Sequence, residues 1–425
     1  MAGKSAGAAV RWLKAAAAAA RHHDTMRLDL GWRLDPAVTF LNHGSYGACP
    51  EPVLAAQRAL RDRLEAEPVR FLSGELPDRL DAARAAVADF LGADPEGFAF
   101  VPNATTGVNT VLQSLHFRPG DELLTNDHEY NATINAMRSV AARDDARVVI
   151  GPLPFPIADT GAALEALLAG VTSRTRLVVV SQITSPTAII LPVAELVADL
   201  DRRGIDALVD GAHAPGMVPL DLDALGAAYW TGNGHKWLCG PKGTGMLWVR
   251  ADRRGLIHPL VVSHGANAPL AGRTRFRHEF DWTGTADPTG YLTLPDSIAW
   301  MGSEAAPDAG GWPAVMAANH ALALLGRDRI AEALGVEPPA PNAMLGSMAA
   351  LPLPSALDEA DGVALAGALE TEDGIQVPIG PWPVPAAGRD DEAPRILIRI
   401  SAQRYNEAAD YDRLARALAR RLALA

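Results

Sequence analysis

The segment Leu208-Val209-Asp210-Gly211-Ala212-His213-Ala214-Pro215-Gly216 places an acidic residue where a short apolar run ends. Lys236 follows 26 residues later, in the polar stretch Thr231-Gly232-Asn233-Gly234-His235-Lys236-Trp237. If residues 207–209 form a buried strand, Asp210 leaves its carboxyl end and Lys236 lies in a glycine-flanked loop. In a parallel sheet such loops converge on one crevice beyond the strand ends.

The surrounding sequence supplies that sheet. Short β-branched or leucine-rich runs at 98–101, 122–125, 147–150, 177–180 and 207–209 are bounded by turn residues. Helix-length segments at 106–115, 131–142 and 193–203 separate them, which is the alternation of a βαβ chain. Continuous apolar strands covered on both faces by crossover helices make a mostly parallel sheet, hence an α/β fold. Upstream, residues 51–67 carry Pro52 in a first turn and Val53, Leu60 and Leu64 on one face, an amphipathic helix. Leu80, Ala83, Val87, Phe90 and Leu91 give a second helix that ends at Gly92. Residues 262–290 read as loop-rich. Beyond them a helical segment at 312–334, a proline-rich stretch at 338–354 and the run 395–400 read as a smaller α+β domain. The expected partition is an extension over 1–26, an N-terminal segment over 27–60, a large domain over 61–295 and a small one over 296–425.

The 425 residues include 38 Lys+Arg against 50 Asp+Glu, a net charge of −12 with no basic block, which argues against a nucleic-acid partner. No apolar run reaches the roughly 18 residues of a membrane-spanning helix. Cys49 and Cys239 are too few for a disulfide framework or a four-ligand zinc site and suit a reducing, cytoplasmic compartment. The histidines form no HExxH or comparable pair, so no metal is expected. Lys4, Arg11, Lys14 and the alanine tract at 15–20 imitate a secretion signal, but alanine is weakly apolar and the tract is short. Residues 1–26 therefore read as a tail.

Pyridoxal phosphate catalysis needs the Asp210 and Lys236 combination. Its lysine forms a Schiff base, and its aspartate keeps the pyridine nitrogen protonated so that the ring accepts electrons. Taken singly, Asp210 reads as a helix cap and Lys236 as a surface amine; together they favour catalysis. The loop Val101 to Asn109 stands between a strand and a helix, so Thr105, Thr106 and nearby N–H groups would face an anion, although a plain capped helix looks the same. Gly240-Pro241-Lys242-Gly243-Thr244-Gly245 is not a nucleotide loop, since its lysine is misplaced and a strand follows. In the run from 395, Ile396, Ile398 and Ile400 share one face while Arg395, Arg399 and Ser401 share the other.

At this point the chain resembles the class V aminotransferases, the fold type I pyridoxal phosphate enzymes, and within them the isopenicillin N epimerase-like group. The resemblance rests on seven ordered motifs: Leu41-Asn42-His43-Gly44-Ser45-Tyr46-Gly47, Glu67 to Leu72, Asn103 to Thr106, Val209 to Gly216, Gly234 to Trp237, Gly284-Thr285-Ala286-Asp287 and Arg399-Ile400-Ser401. It implies a large domain with a mostly parallel seven-stranded sheet sandwiched by helices, plus a smaller α+β C-terminal domain. It further implies that Lys236 holds the cofactor and shuttles the α-proton, that Asp210 pairs with the ring nitrogen, and that His213 and Ser185 lie near the ring oxygen. Tyr130 takes the position of the ring-stacking aromatic. Thr105, Thr106, Asn233 and His235 would bind phosphate, with Thr285 entering from the second subunit of a homodimer. Arg399 would bind the α-carboxylate of an amino-acid substrate, because arginine presents a planar fork. Arg70 and the loop from His43 to Tyr46 are candidates for the distal substrate pocket.

Several reactions share removal of the α-proton: epimerisation, transamination, and expulsion of a group from Cβ. Desulfurases of this class use a loop cysteine before the small-domain arginine, and residues 340–395 contain none. Cys49 and Cys239 read as small packed residues, with Cys239 near enough to Lys236 to deserve inspection. A C–S lyase that needs no protein thiol, similar to hercynylcysteine sulfoxide lyase, is the alternative. A non-catalytic cofactor-binding or regulatory protein is a third, but it would be expected to lack the lysine or the aspartate. His43 and Tyr46 are two titratable groups in a glycine-rich loop and are read as a second acid or base.

Overall fold

Seven strands hydrogen-bond into the principal sheet: β1 (Phe98–Val101), β2 (Glu122–Asn126), β3 (Arg147–Gly151), β4 (Thr175–Ser181), β5 (Asp206–Gly211), β6 (Tyr229–Asn233) and β7 (Gly245–Val249). Their spatial order is β1-β7-β6-β5-β4-β2-β3, and β7 alone runs against the others. The computed structural model describes residues 31–303, 305, 310–387 and 394–423. The tail expected over residues 1–26 lies outside the described residues.

The helices that cover the sheet follow the expected alternation: α1 (Glu51–Ala66), α2 (Leu76–Leu91), α3 (Ala104–Ser114), α4 (Asn131–Asp144), α5 (Thr160–Ala169) and α6 (Val193–Arg202). Because successive strand side chains point to opposite faces, Val178 and Val180 pack with Leu196 and Leu200 of α6 on one side. Val179 and Leu208 pack with Val111 of α3 and Met137 of α4 on the other. Each such side chain taken out of water contributes about 1.5–3 kcal/mol, which is why apolar runs this short specify strands.

Three local differences from the sequence reading have physical causes. Residues 231–233 belong to a buried strand rather than a loop, because Thr231 Oγ1 donates to the Met246 carbonyl at 2.8 Å and Asn233 is bonded by its side chain. Residues Arg70–Glu75 wind as a π-helix that joins the region of α1 to α2. The stretch 262–290 contains a helix, Arg275–Asp281, capped by the Thr274 side chain.

The C-terminal part comprises α7 (Gly311–Leu334), β8 (Met348–Pro352), α8 (Glu359–Thr371), β9 (Ile379–Trp382), β10 (Arg395–Ser401) and α9 (Ala408–Arg421), its strands forming an antiparallel sheet in the order β9-β10-β8. The N-terminal segment reaches across to it. Thr39–Phe40 pairs with Ile375–Gln376, and the Ser401 N–H donates to the Leu41 carbonyl at 3.0 Å. This fixes the loop 42–47 between β10 and the loop that carries Lys236.

α3 lies directly on the sheet. A Cβ at Gly107 would fall 2.0 Å from Thr231 Oγ1, whereas one at Gly74 would meet nothing within 4 Å. Gly107→Ala is therefore expected to cost about 1–3 kcal/mol in urea unfolding by overpacking, and Gly74→Ala to leave stability equal or higher by under about 1 kcal/mol.

Candidate active site

Asp210 and Thr231 are register partners across β5 and β6, as are Ser181 and Asp210 across β4 and β5, so side chains at these carboxyl ends share one edge of the sheet. Lys236 follows β6, and its Nζ lies 3.1 Å from His213 Nε2. The other ring nitrogen of His213, Nδ1, lies 3.3 Å from Trp237 Nε1. An indole N–H only donates, so Nδ1 accepts and Nε2 carries the hydrogen, which it donates to the lysine amine. Such an amine is neutral. Burial, and secondarily the charge of Arg399, pull Lys236 down to about 7, with Asp210 opposing. Burial also holds His213 well below the usual imidazole range.

Asp210 is buried, with Oδ1 accepting from the Ala212 N–H at 2.9 Å and Oδ2 from Thr133 Oγ1 at 3.4 Å. Burial raises its carboxyl above the ordinary aspartate value, and the Ala212 N–H, Lys236 and Thr133 pull back.

Arg399 reaches into the same crevice from β10. Its Nη1 donates to the carbonyl and hydroxyl oxygens of Ser185 at 2.6 and 3.1 Å, and its Nη2 to Ser45 Oγ at 2.8 Å. Its Nε is buried without a partner. Burial lowers the guanidinium to about 10, with Tyr130 opposing. A buried, unpaired N–H on a cation is costly, and a carboxylate ligand would satisfy it.

At the α3 N-terminus, Asn103 Oδ1 accepts from the Thr106 N–H at 2.8 Å and Thr106 Oγ1 at 3.1 Å. Asn233 Oδ1 accepts from the Ala104 N–H at 2.9 Å, and its Nδ2 donates to the Ala212 carbonyl at 3.5 Å. The side chains of Asn233 and Thr106 are thus engaged in holding the turn. Thr105 is exposed there, and His235 sits nearby with Nδ1 3.0 Å from the Thr244 carbonyl. A Cβ on Gly245 would fall 2.5 Å from Asn103 Cα, so the cradle is pressed against β7.

Other expected site residues fall in different places. His43 is 0% exposed, and its ring nitrogens lie 2.8 Å from Tyr405 Oη and 3.1 Å from the Lys236 carbonyl. Burial lowers it to about 3, so it backs the lysine main chain instead of facing substrate as an acid or base. Tyr46 is 71% exposed on the same loop. Arg70, at 66% side-chain exposure, pairs with Glu67 and Glu75 on its own helical segment and does not join Lys236 within the chain. Tyr130 is 43% exposed at the start of α4, close enough to Arg399 to act on its charge. Ser185 is brought to Arg399, and Thr285 lies on an exposed turn. Cys239 is buried beside His43 and Gln403, and burial pushes its thiol well up; burial pushes Cys49 up to about 12. Neither is a ready nucleophile. Ser45 lies in the loop expected to line the pocket and is bonded to Arg399, whereas Glu129, Thr133 and Trp237 stand beside the site and escaped the sequence reading. Glu129 alone had a signal there, an acid one residue before the expected aromatic.

A buried neutral lysine, an acid at a strand end, an anion cradle at a helix start and an arginine with an unsatisfied donor fit pyridoxal phosphate and an amino acid. The combination defines a fold type I lysine enzyme. The chain belongs to the class-V aminotransferases: that family matches residues 46–414. It is 36% identical over 399 residues to the isopenicillin N epimerase of Amycolatopsis lactamdurans, covering 91% of this chain and 95% of that one. It is 32% identical over 409 residues to putative L-cysteine desulfhydrase 1 of Oryza sativa subsp. japonica, covering 89% and 82%. The solved cysteine desulfurase CsdA of Escherichia coli matches with a TM-score of 0.75 at 23% identity over 93% of this chain and 97% of that one, a likeness of fold. The protein is accordingly a pyridoxal phosphate enzyme.

Trp237→Phe deletes the donor that fixes the His213 tautomer. The pH midpoint for covalent capture of the cofactor by Lys236, near 7 in the wild type, is expected to rise to about pH 8, as read by borohydride trapping across pH. An unchanged midpoint would contradict the assigned tautomer.

Proposed function

We propose that the enzyme removes the α-proton of an amino-acid substrate and that a proton is returned to the opposite face of Cα, an epimerase-like net reaction. The carrying observation is the buried Lys236 amine, 3.1 Å from His213 Nε2 in the crevice that also receives Asp210 and Arg399. When bound, pyridoxal phosphate supplies the electron sink for the pair left at Cα. Asp210 would hold the ring nitrogen, His213 and Ser185 the ring oxygen, and Tyr130 the ring face, while Thr105, Thr106, Asn233 and His235 would take the phosphate. Arg399 gives up Ser45 and Ser185 for the substrate carboxylate, which orients the Cα–H bond toward Lys236, and Lys236 Nζ takes the proton as a free amine. Tyr46 and Arg70 flank the outer pocket.

The matched relatives also include desulfhydrases, and a C–S lyase is the second reading. It is supported by the packed state of both cysteines, since that chemistry needs no protein thiol, whereas persulfide transfer does. A homodimer is part of the proposal, with Thr285 entering the partner's site. The exposed apolar side chains Leu256, Leu260, Val261, Val262 and Leu270 are what a second subunit would cover. Domain limits near 60 and 295 and a cytoplasmic location belong to the same reading. No helix among the described residues is long and apolar enough to cross a membrane.

Incubating the holoenzyme with L-amino acids and S-substituted cysteines separates the readings. Inverted substrate is expected; pyruvate with a released thiol would instead establish the lyase. Arg399→Ala is expected to raise KM by about 10- to 100-fold while leaving the cofactor's visible absorbance unchanged.

A further inference from the structure

Glu129 is buried beside the site and has no task in the reaction above. It lies between β2 and α4, with Oε2 accepting from the Ser181 N–H at 2.7 Å and Oε1 from Ser181 Oγ at 2.6 Å and the Tyr130 N–H at 2.7 Å. Ser181 is the register partner of Asp210. Paired residues on adjacent strands point to the same face about 4.8 Å apart, so a carboxylate bonded to Ser181 Oγ is a neighbour of Asp210. Asp210 is held by Ala212 and Thr133, and Thr133 and Tyr130 stand on the first turn of α4 and its cap. Two carboxylates this close and this dry do not both ionise readily, so between them they retain a proton. Ser181 Oγ and the Ser181 and Tyr130 N–H groups all donate to Glu129, so these bonds favour its ionised form and oppose the proton that burial imposes.

We propose that Glu129 and Asp210 form one proton-sharing pair, in which Glu129 is the positioning residue that holds the shared proton while the site is empty and gives it up when a cationic ring nitrogen neutralises Asp210. This rests on the role proposed above for Asp210. Burial first, then the charge of Asp210, push Glu129 up to about 7. The charged and titratable groups around the pair are Lys236, His213 and Arg399 on the Asp210 side and Asp127 and His128 on the loop of Glu129. Of those next to Asp210, Lys236 also titrates near 7, and His213 lies well below. A cationic ring nitrogen beside Asp210 favours ionised Glu129, so the bound state has the lower midpoint. The resulting gain in affinity is present above the free-state midpoint and is lost as pH falls.

The test compares pyridoxal phosphate dissociation constants from about pH 6 to 8.5 for Lys236→Ala and for Lys236→Ala with Glu129→Gln, which removes the lysine titration from both. The ratio of the second constant to the first is expected to be near one at the acid end and to rise to about ten at the alkaline end. A flat ratio overturns the pair. Ser181→Ala in the same background keeps the carboxyl but drops one bond to its ionised form. The pH at which its own dissociation constant falls is expected to lie above that of Lys236→Ala, and an unmoved midpoint counts against the proposal even if the glutamine variant does not fold. Absence of binding by Lys236→Ala at every pH, with normal folding, overturns the cofactor-site reading itself, a failure distinct from a flat ratio.

Discussion

Everything in this molecule is arranged around taking a lysine amine and a carboxylate out of water at adjacent strand ends. Neither group is stable there as an isolated charge, and the protein resolves this without neutralising one directly against the other in a salt bridge. Lys236 is kept as a free amine by a histidine whose tautomer an indole fixes, and Asp210 is held by a main-chain N–H and a threonine hydroxyl. The seven-stranded sheet supplies the rigidity this needs, because β4, β5 and β6 place Ser181, Asp210 and Thr231 in register. A site built on strand ends is held more tightly than one built on loops alone.

The N-terminal loop ties the second half of the site to the first. A Cβ at Gly47 would fall 2.4 Å from the His235 carbonyl and 2.6 Å from the Lys236 carbonyl, so glycine lets the loop lie against the lysine main chain. Within the same few residues Ser45 bonds Arg399, and His43 bridges Tyr405 and the Lys236 carbonyl. One short segment therefore touches both Lys236, the residue proposed to move the proton, and Arg399, the residue proposed to bind the carboxylate. On the proposed roles, a substrate that takes Arg399 from Ser45 would disturb a loop that also supports Lys236, coupling binding to the geometry of proton transfer.

What was legible in the sequence was what local pattern determines. Strands β4 and β5 are apolar on both faces, so their runs announce a covered parallel sheet, and the alternation of Ile396, Ile398 and Ile400 with Arg399 shows which side of β10 turns toward Ser45 and Ser185. The hidden features depend on partners distant in the chain. β6 looked like a loop because Thr231 and Asn233 are polar, and they are satisfied by Met246 and Ala104. His43 looked like a pocket residue because its burial comes from Tyr405 and the main chain of Lys236, which are far along the sequence. Glu129 sits in a polar tetrapeptide, and only Ser181, on a strand some 50 residues on, turns it into a buried acid.

The central claim is that Lys236 is the amine that holds the cofactor. Its most direct test is borohydride reduction of the protein loaded with pyridoxal phosphate, followed by peptide mass mapping, beside Lys236→Ala. The account predicts a visible absorbance band in the wild type that the variant lacks, with the reduced pyridoxyl mass on the peptide containing Lys236. A label on another lysine, or an equal band in the variant, would contradict it.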